Sequence, residues 1–245
     1  MKLHSLICVG MFAAAGAALG EDVISGTKCA AMAVPAKAPY TLIAVPFKDV
    51  GGTEAKVKVA DVVKTVGLKA GSQLFYYTGE NYYAWRLDSD GGTWKGARVA
   101  YLKNGQDALT ESPADDYQVP CGATLWLQRA AGSEEGVVLY GEETAVPDPT
   151  LTVNSVQLIS NPKATDYTFT ETGVADGDMI MIPQDNGTQT TYTYKKGKWG
   201  QYVQNGTVPG TKIPLMKFTE KTVTIPGGRG AWYVSKGETV PSIAW

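Results

Sequence analysis

Apolar and polar residues alternate with a period of two along much of the chain, which is the pattern of half-buried β-strands. Ser72 to Tyr77 and Asn81 to Leu87 follow it and are rich in aromatic residues, and Gly79-Glu80 between them predicts a hairpin turn. Only Ala60 to Val66 has a pattern compatible with a helix, of one or two turns. The first half is therefore predicted to be β-structure with one minor short helix.

The same succession of elements recurs in the second half of the chain. Met179 to Ile182 and Thr190 to Tyr194 are the corresponding strands, and Asp185-Asn186-Gly187 predicts the turn between them, because Asn and Gly tolerate a positive φ. The residues correspond as well. Val63 to Tyr76, shifted by 106 positions, falls on Phe169 to Ile182 with both glycines superposed.

A second pair of segments shares this offset, which predicts an internal duplication. Val119 to Leu127 falls on Ile225 to Tyr233, and each segment has a Pro-x-Gly opening and a tryptophan. Leu42 to Pro46 meets Leu158 to Pro162 at an offset of 116, so the first copy has about ten extra residues, near positions 49–59. Four tryptophans that correspond between the copies are predicted to be structural core residues: Trp94 with Trp199, and Trp126 with Trp232.

The predicted fold is all-β with a minor short helix, arranged as two tandem β-sandwich or small-barrel-like modules related by internal duplication. We assign residues 1–20 to a signal peptide and 21–145 to β module 1. Residues 146–150, with Pro147 and Pro149, form a stiff proline-rich linker, and residues 151–245 form β module 2.

The first 20 residues have the pattern of a cleavable secretory signal peptide. Lys2 precedes an apolar and small-residue run from Leu6 to Leu19, which is too short to cross a bilayer, and small residues permit cleavage after Gly20. We therefore expect a secreted or periplasmic protein without a membrane span.

Cleavage after Gly20 would remove His4, the one histidine of the sequence, and with it every histidine-dependent triad, metal site or proton shuttle. The chain has 22 basic and 24 acidic side chains, and loss of Lys2 would leave a net charge of −3. The run Lys195-Lys196 with Lys198 is interpreted as a solvated hairpin turn. We accordingly expect no nucleic-acid partner, no metal and no cofactor.

Two cysteines, Cys29 and Cys121, would remain in a compartment that permits disulfides. A bond between them would close a loop of about 93 residues and, by loop entropy, stabilise the fold by roughly 4 to 5 kcal/mol. The alternative is two buried thiols. We expect the disulfide.

Aromatic residues that only the first copy contains are the candidate ligand site. Along Tyr82 to Leu87, the side chains of Tyr83 and Trp85 are expected to point inward, while Tyr82 and Arg86 share the other face. Tyr82, with Tyr76 and Arg86 close by, suits stacking on a sugar ring or on the apolar patch of a partner. Cross-strand packing is the alternative for these residues.

Two acidic patterns are weighed against simpler interpretations. Asp88, Asp90 and Gly91 resemble the start of a calcium loop, but Gly92 and Val99 stand where two further ligands are needed, so a hairpin turn is preferred. Paired carboxylates can hydrolyse glycosides without histidine. The candidates lie in polar runs typical of solvated surface: Glu111, Asp115, Asp116, Glu134, Glu135, Glu142 and Glu143.

The second copy resembles a widespread module of exported proteins from environmental Gram-negative bacteria, which has a LISNP start, a DG before an apolar strand, GxW and PGxGFW. Here these segments are residues 158–162, 176–182, 197–199 and 226–232, and the first copy matches less closely. The resemblance covers residues 41–130 and 151–236. It implies export and a fold, and it implies no activity.

We therefore expect a secreted or periplasmic, non-catalytic structural or interaction protein, as part of a cell-envelope or extracellular assembly, with envelope proteins, extracellular proteins or glycans as partners. The alternative is a carbohydrate-binding protein that uses the aromatic residues of module 1. A third hypothesis is a small carboxylate-dependent glycoside hydrolase.

Overall fold

The structure, a computed structural model, describes residues 22–24, 27–78, 82–101, 107–110, 117–170 and 172–244. The predicted signal peptide, residues 1–20, and Trp245 lie outside them. Within the described part, no helix has the length and apolar character needed to cross a membrane.

The regular secondary structure of the described residues is almost entirely β-strand, and the all-β prediction with a minor helix is confirmed. The elements of module 1 are β1 (Asp22–Ile24), β2 (Thr27–Pro35), β3 (Tyr40–Ala44), β4 (Phe47–Lys48), β5 (Lys56–Lys58), α1 (Val59–Val62), β6 (Val63–Lys64), β7 (Gln73–Tyr77), β8 (Tyr82–Leu87), β9 (Trp94–Tyr101), β10 (Asp107–Thr110), β11 (Gln118–Pro120), β12 (Thr124–Gln128) and β13 (Gly136–Glu143). Those of module 2 are β14 (Val156–Ser160), β15 (Tyr167–Thr168), β16 (Met179–Pro183), β17 (Gln189–Lys195), β18 (Lys198–Thr207), β19 (Pro214–Glu220), β20 (Thr224–Ile225) and β21 (Gly230–Val234).

Module 1 has two large sheets around one core. The main sheet has the order β10-β9-β8-β7-β12-β3, and the second has the order β1-β2-β13-β4 with β6 also paired to β13. Leu74, Trp85 and Leu127 of the main sheet and Val34 and Leu139 of the second belong to one buried cluster. Because side chains alternate along a strand, one face of each sheet enters this core and the other faces outward.

Module 2 has a main sheet with the same order of strands, β19-β18-β17-β16-β21-β14. The glycines agree in conformation: Gly67 and Gly71 have φ of 84° and 88°, and Gly173 and Gly177, 106 residues on, have 83° and 96°. This left-handed conformation strains any residue with a Cβ, so glycine is needed at each of these turns. Small sheets also correspond, since β5 pairs with β11 and β15 pairs with β20.

The second sheet of module 1 has no counterpart in the described part of module 2. At an offset of 116, β2 would correspond to residues 143–151, which contain Pro147 and Pro149. Proline has no amide hydrogen and cannot donate to a sheet ladder, so this segment does not form a strand. The modules were predicted to be sandwich-like or small-barrel-like. Among the described strands, two large sheets enclose a core in module 1 only, and no sheet closes on itself.

No disulfide joins Cys29 and Cys121, contrary to expectation. Cys29 on β2 lies opposite Glu142 of β13, and Glu142 lies opposite Lys48 of β4. Strands are about 4.8 Å apart, so β2 and β4 are separated by about 10 Å, more than the roughly 7 Å between Cα atoms that a disulfide spans. Cys121 lies in a turn on the β4 side, where its amide donates to the carbonyl of Ala55.

Candidate functional site

The two modules meet through equivalent parts of their main sheets. The amide of Ala44 donates to the carbonyl of Gly228 at 2.8 Å, and the hydroxyl of Ser160 donates to the carbonyl of Gly122 at 2.7 Å. Ser160 stands 116 positions after Ala44, and Gly228 stands 106 after Gly122, which are the two offsets of the sequence alignment. The contacts are reciprocal, as they are across a two-fold axis.

Small residues let the sheets approach closely at this junction. A Cβ on Gly230 would lie 2.5 Å from Cγ2 of Thr124 and 3.1 Å from Cβ of Leu42. Thr124 is itself the counterpart of Gly230, so the closest approach falls on a corresponding pair. The next pair along the two strands, Trp126 and Trp232, makes an edge-to-face contact with centroids 6.4 Å apart and planes at 77°.

Trp126 and Trp232 do not lie in the module cores, so their assignment as core residues was wrong. Trp126 is 38% exposed and Trp232 is half-buried, whereas their neighbours Leu127 and Tyr233 are fully buried. In a strand the side chains alternate, so these neighbours take the core face and the tryptophans take the opposite face. Trp94 and Trp199, by contrast, are 2% and 8% exposed.

The outward-facing tryptophans line a cleft of about 230 Å³ between the modules. Tyr40, 48% exposed, lies on the other side of Trp126, with centroids 6.0 Å apart and planes at 77°. Its hydroxyl accepts a hydrogen bond from Nε2 of Gln128 at 3.2 Å, which holds the ring. Tyr40, Trp126 and Trp232 thus form a continuous aromatic row.

The opposite wall of the cleft is polar and comes from the β16–β17 hairpin of module 2. Its lining side chains are Gln184, Thr188 and Gln189. The amide of Gln184 donates to the carbonyl of Thr188 at 2.8 Å, which closes the hairpin. The cleft therefore pairs aromatic rings with amide and hydroxyl groups, the usual composition of an organic ligand site.

Arg229 fixes this hairpin against module 1. Its Nη1 atom donates to the carbonyl of Pro35 in module 1 at 2.9 Å and to Oδ1 of Asp185 at 3.0 Å, and its Nη2 atom donates to the carbonyl of Pro183 at 3.3 Å. The guanidinium is buried, with 6% of the side chain exposed. One planar cation thus joins the hairpin to module 1.

The ligand residues predicted from the sequence do not form one site. Tyr76 lies opposite Tyr83 on the inner side of the main sheet of module 1, where burial, and secondarily Tyr83, raises the pKa of its phenol. Tyr82 and Arg86 are on the outer side, and Tyr82 stacks on Tyr77 with centroids 4.5 Å apart. Because the sheet separates Tyr76 from the other two, the predicted trio cannot contact a single ligand.

Of the acidic candidates for hydrolysis, Glu111, Asp115 and Asp116 lie outside the described residues. Glu134, Glu135 and Glu143 are exposed. Glu142 bonds Nζ of Lys48 at 2.8 Å and the amide of Gly51 at 2.8 Å. Burial alone would raise the pKa of Glu142, but these two bonds outweigh it and hold the pKa below its usual value. A catalytic acid needs a raised pKa, so this environment has the opposite effect.

The acidic turn that resembled a calcium loop is a hydrogen-bonded hairpin turn. Oδ1 of Asp88 accepts from the amide of Thr93 at 2.9 Å, and Oδ1 of Asp90 accepts from the amide of Ala70 at 2.8 Å. These backbone bonds lower the pKa of both carboxyls. Within the described residues no group of three or more His, Cys, Asp or Glu is placed to hold a metal ion.

Sequence reasoning missed Arg229 and Tyr40. Arg229 replaces Ala123 of the first copy inside the glycine-rich opening of β21, so it is a feature of one copy only, and that difference was the available signal. Tyr40 had no comparable signal, because its role depends on how the modules dock.

Comparison of the chain with protein-family models, curated proteins and solved structures yields no match.

Proposed function

We propose that the protein is an exported, non-catalytic interaction protein of a cell-envelope or extracellular assembly, and that it binds a carbohydrate chain in the cleft between its modules. The observation that carries the proposal is the aromatic row, in which Trp126 contacts both Tyr40 and Trp232. Tyr40 and Trp126 are exposed to solvent, and Trp232 is half-buried. Exposed large aromatic side chains that converge in a cleft are typical of recognition sites.

The composition of the cleft suits a sugar. A sugar ring has apolar C–H faces and a rim of hydroxyl groups, so it is bound best where aromatic faces and hydrogen-bonding side chains meet. Trp126 and Tyr40 supply the rings, and Gln184, Thr188 and Gln189 supply donors and acceptors. At about 230 Å³ the cleft is smaller than pockets that enclose a drug-sized molecule, about 300 Å³ or more, so it suits a short stretch of a chain.

The lining favours binding over hydrolysis. Glycoside hydrolysis uses two carboxyl groups about 5 to 10 Å apart across the bond. The residues that the structure places around the cleft include no Asp or Glu. Asp185, beside it, is bonded to the guanidinium of Arg229.

The duplicated architecture supports a role in an assembly. Matching strand orders and matching glycine conformations favour a common origin of the two modules. Their reciprocal contacts resemble those of a homodimer, from which a site at the junction arises without a new fold. Export rests on the signal-peptide pattern, and membership of the exported module family rests on the motifs alone; both stay predictions.

A glycan array probed with the protein tests the proposal, followed by titration of the best-bound oligosaccharide. Trp126→Ala removes the central ring of the row and is expected to weaken binding ten-fold or more, about 1.4 kcal/mol. Tyr82→Ala is the matched control, because it removes a half-buried aromatic side chain from the same sheet but outside the cleft.

Binding that Trp126→Ala abolishes and Tyr82→Ala leaves intact would support the cleft. The reverse pattern would favour the aromatic strand predicted from the sequence. An array with no bound glycan, for protein whose circular dichroism shows it to be folded, would refute carbohydrate binding.

A further inference from the structure

The β18–β19 hairpin extends beyond the rest of module 2. Residues 202–207 of β18 and 214–217 of β19 are all exposed, so no element of the described part of the chain covers either face of this part of the hairpin. Its backbone is nevertheless ordered by pairing, with a bulge between Gln204 and Thr207, and the amide of Val208 donates to the carbonyl of Ile213 at 2.9 Å at the tip. The hairpin is a formed projection, in which β18 and β19 pair with each other and β19 is the edge strand of the sheet.

Apolar side chains cover both faces of this projection. Five of them are between 45% and 61% exposed: Tyr202, Val203, Ile213, Leu215 and Met216. Tyr202 and Met216 are on one face, and Val203 and Leu215 are on the other, because strand side chains alternate. A docked protein covers one face of a hairpin, whereas a lipid headgroup layer surrounds an element that dips into it.

The projection carries positive charge only, within an acidic chain. Residues 202–217 include Lys212 and Lys217 and no Asp or Glu, and four further lysines lie at the base of the hairpin with one glutamate, while the whole chain has a net charge of −2. The glutamate, Glu220, is paired to Nζ of Lys198 at 2.6 Å. Two copies that met through this hairpin would bring like charges together, so charge favours an anionic partner over a second copy.

The identity of the cations distinguishes a lipid surface from an acidic protein. Every basic residue from 195 to 221 is lysine. Protein interfaces are enriched in arginine and depleted in lysine. Lysines beside exposed apolar side chains are typical of elements that lie at the surface of an anionic bilayer.

We propose that the β18–β19 hairpin docks the protein on an anionic lipid surface. Ile213, Leu215 and Met216 enter the headgroup region, and Lys212 and Lys217 lie against lipid phosphates. This inference is independent of the cleft, which lies on the β16–β17 side of module 2.

Flotation with large unilamellar vesicles tests it, comparing phosphatidylcholine alone with an equal mixture of phosphatidylcholine and phosphatidylglycerol. The purified, exported protein is expected to float with the anionic vesicles only, and less at high salt. Lys212→Gln/Lys217→Gln should reduce partitioning roughly five-fold per lysine, about 25-fold for the pair. Ile213→Ser/Leu215→Ser should reduce it while leaving the charge unchanged.

The matched control is Lys37→Gln/Lys163→Gln, which removes two exposed lysines elsewhere and changes the net charge equally. Loss of flotation in both hairpin variants, with the control unaffected, would support the proposal. Equal loss in the control would show a general charge effect and overturn it. Absence of flotation of the wild-type protein overturns it as well. The same holds if that protein instead self-associates in sedimentation velocity or binds polyglutamate.

Discussion

A buried carboxylate in module 2 offers a quantitative test of the correspondence between the modules. Asp178 is fully buried and accepts three hydrogen bonds: from the hydroxyl of Tyr233 at 2.6 Å, the amide of Lys236 at 2.7 Å and the amide of Ala175 at 3.0 Å. Burial, and then the bond to Asp178, raises the pKa of Tyr233 well above its usual value. Each of these donors would lack a partner if the carboxylate were lost.

Module 1 fills the same position with smaller residues. Ser72 corresponds to Asp178, and its hydroxyl accepts from the amide of Ala130 at 3.0 Å, as Asp178 accepts from the equivalent Lys236. Leu127 corresponds to Tyr233 and needs no acceptor. The double variant Asp178→Ser/Tyr233→Leu therefore places the serine–leucine pair of module 1 at the corresponding positions of module 2.

Asp178→Ser alone leaves the hydroxyl of Tyr233 and the amide of Ala175 without a hydrogen-bond acceptor. Each buried unsatisfied group costs about 1–3 kcal/mol, so we expect the free energy of unfolding to fall by about 2–6 kcal/mol. Tyr233→Leu alone removes a donor from a buried carboxylate and leaves space, and should cost about 2–4 kcal/mol. The double variant should lose less than the sum by about 1–3 kcal/mol.

Urea denaturation followed by tryptophan fluorescence measures all four proteins, and thermal midpoints should move by about 2–4 °C per kcal/mol. Additive losses in the double variant would refute the reasoning, because they would show that the serine–leucine pair does not reproduce the arrangement of module 1. So would an Asp178→Ser protein as stable as the wild type.

Three further predictions concern the junction, the tyrosine and the thiols. Arg229→Met should lower the free energy of unfolding by about 2–4 kcal/mol and weaken glycan binding, since it strands the carbonyl of Pro35; unchanged stability by urea denaturation would contradict this. The raised pKa of Tyr233 gives stability that is complete below about pH 10 and lost as pH rises further, so unfolding free energies above pH 10 should fall more steeply in wild type than in Tyr233→Phe; parallel curves would be contrary to the prediction. Burial raises the pKa of Cys121 to about 11, so iodoacetamide at pH 8 should modify this thiol only after denaturation, and mass spectrometry without reductant should find Cys29 and Cys121 both alkylated in denaturant; a linked pair of peptides would restore the disulfide.

Local structure was the most predictable part of the protein. The strands at β7, β8, β16 and β17 fall within a residue or two of their predicted bounds, because alternation and the turn residues between them are local signals. The helix was predicted over Ala60 to Val66. In the structure α1 begins one residue earlier, at Val59, and ends at Val62. All-β architecture followed from these local signals.

The site was not predictable, because it depends on which face of a strand meets which module. Alternation shows that Trp126 and Leu127 face opposite sides, but only docking decides which side is the core and which side is a cleft. Similarly, the sequence could not show that β13 lies between β2 and β4 and keeps Cys29 away from Cys121. These errors arise from the long-range placement of strands and modules, and not from a motif that was overlooked.

The most direct test of the cleft uses the six tryptophans of the chain as separate reporters. In nitrogen-15 spectra, their indole N–H signals can be assigned with single Trp→Phe variants and followed during titration with an oligosaccharide selected on the array. If the oligosaccharide binds in the cleft, the signals of Trp126 and Trp232 shift together on binding, while those of the buried Trp94 and Trp199 stay in place. Saturating binding that leaves Trp126 and Trp232 unshifted would contradict it.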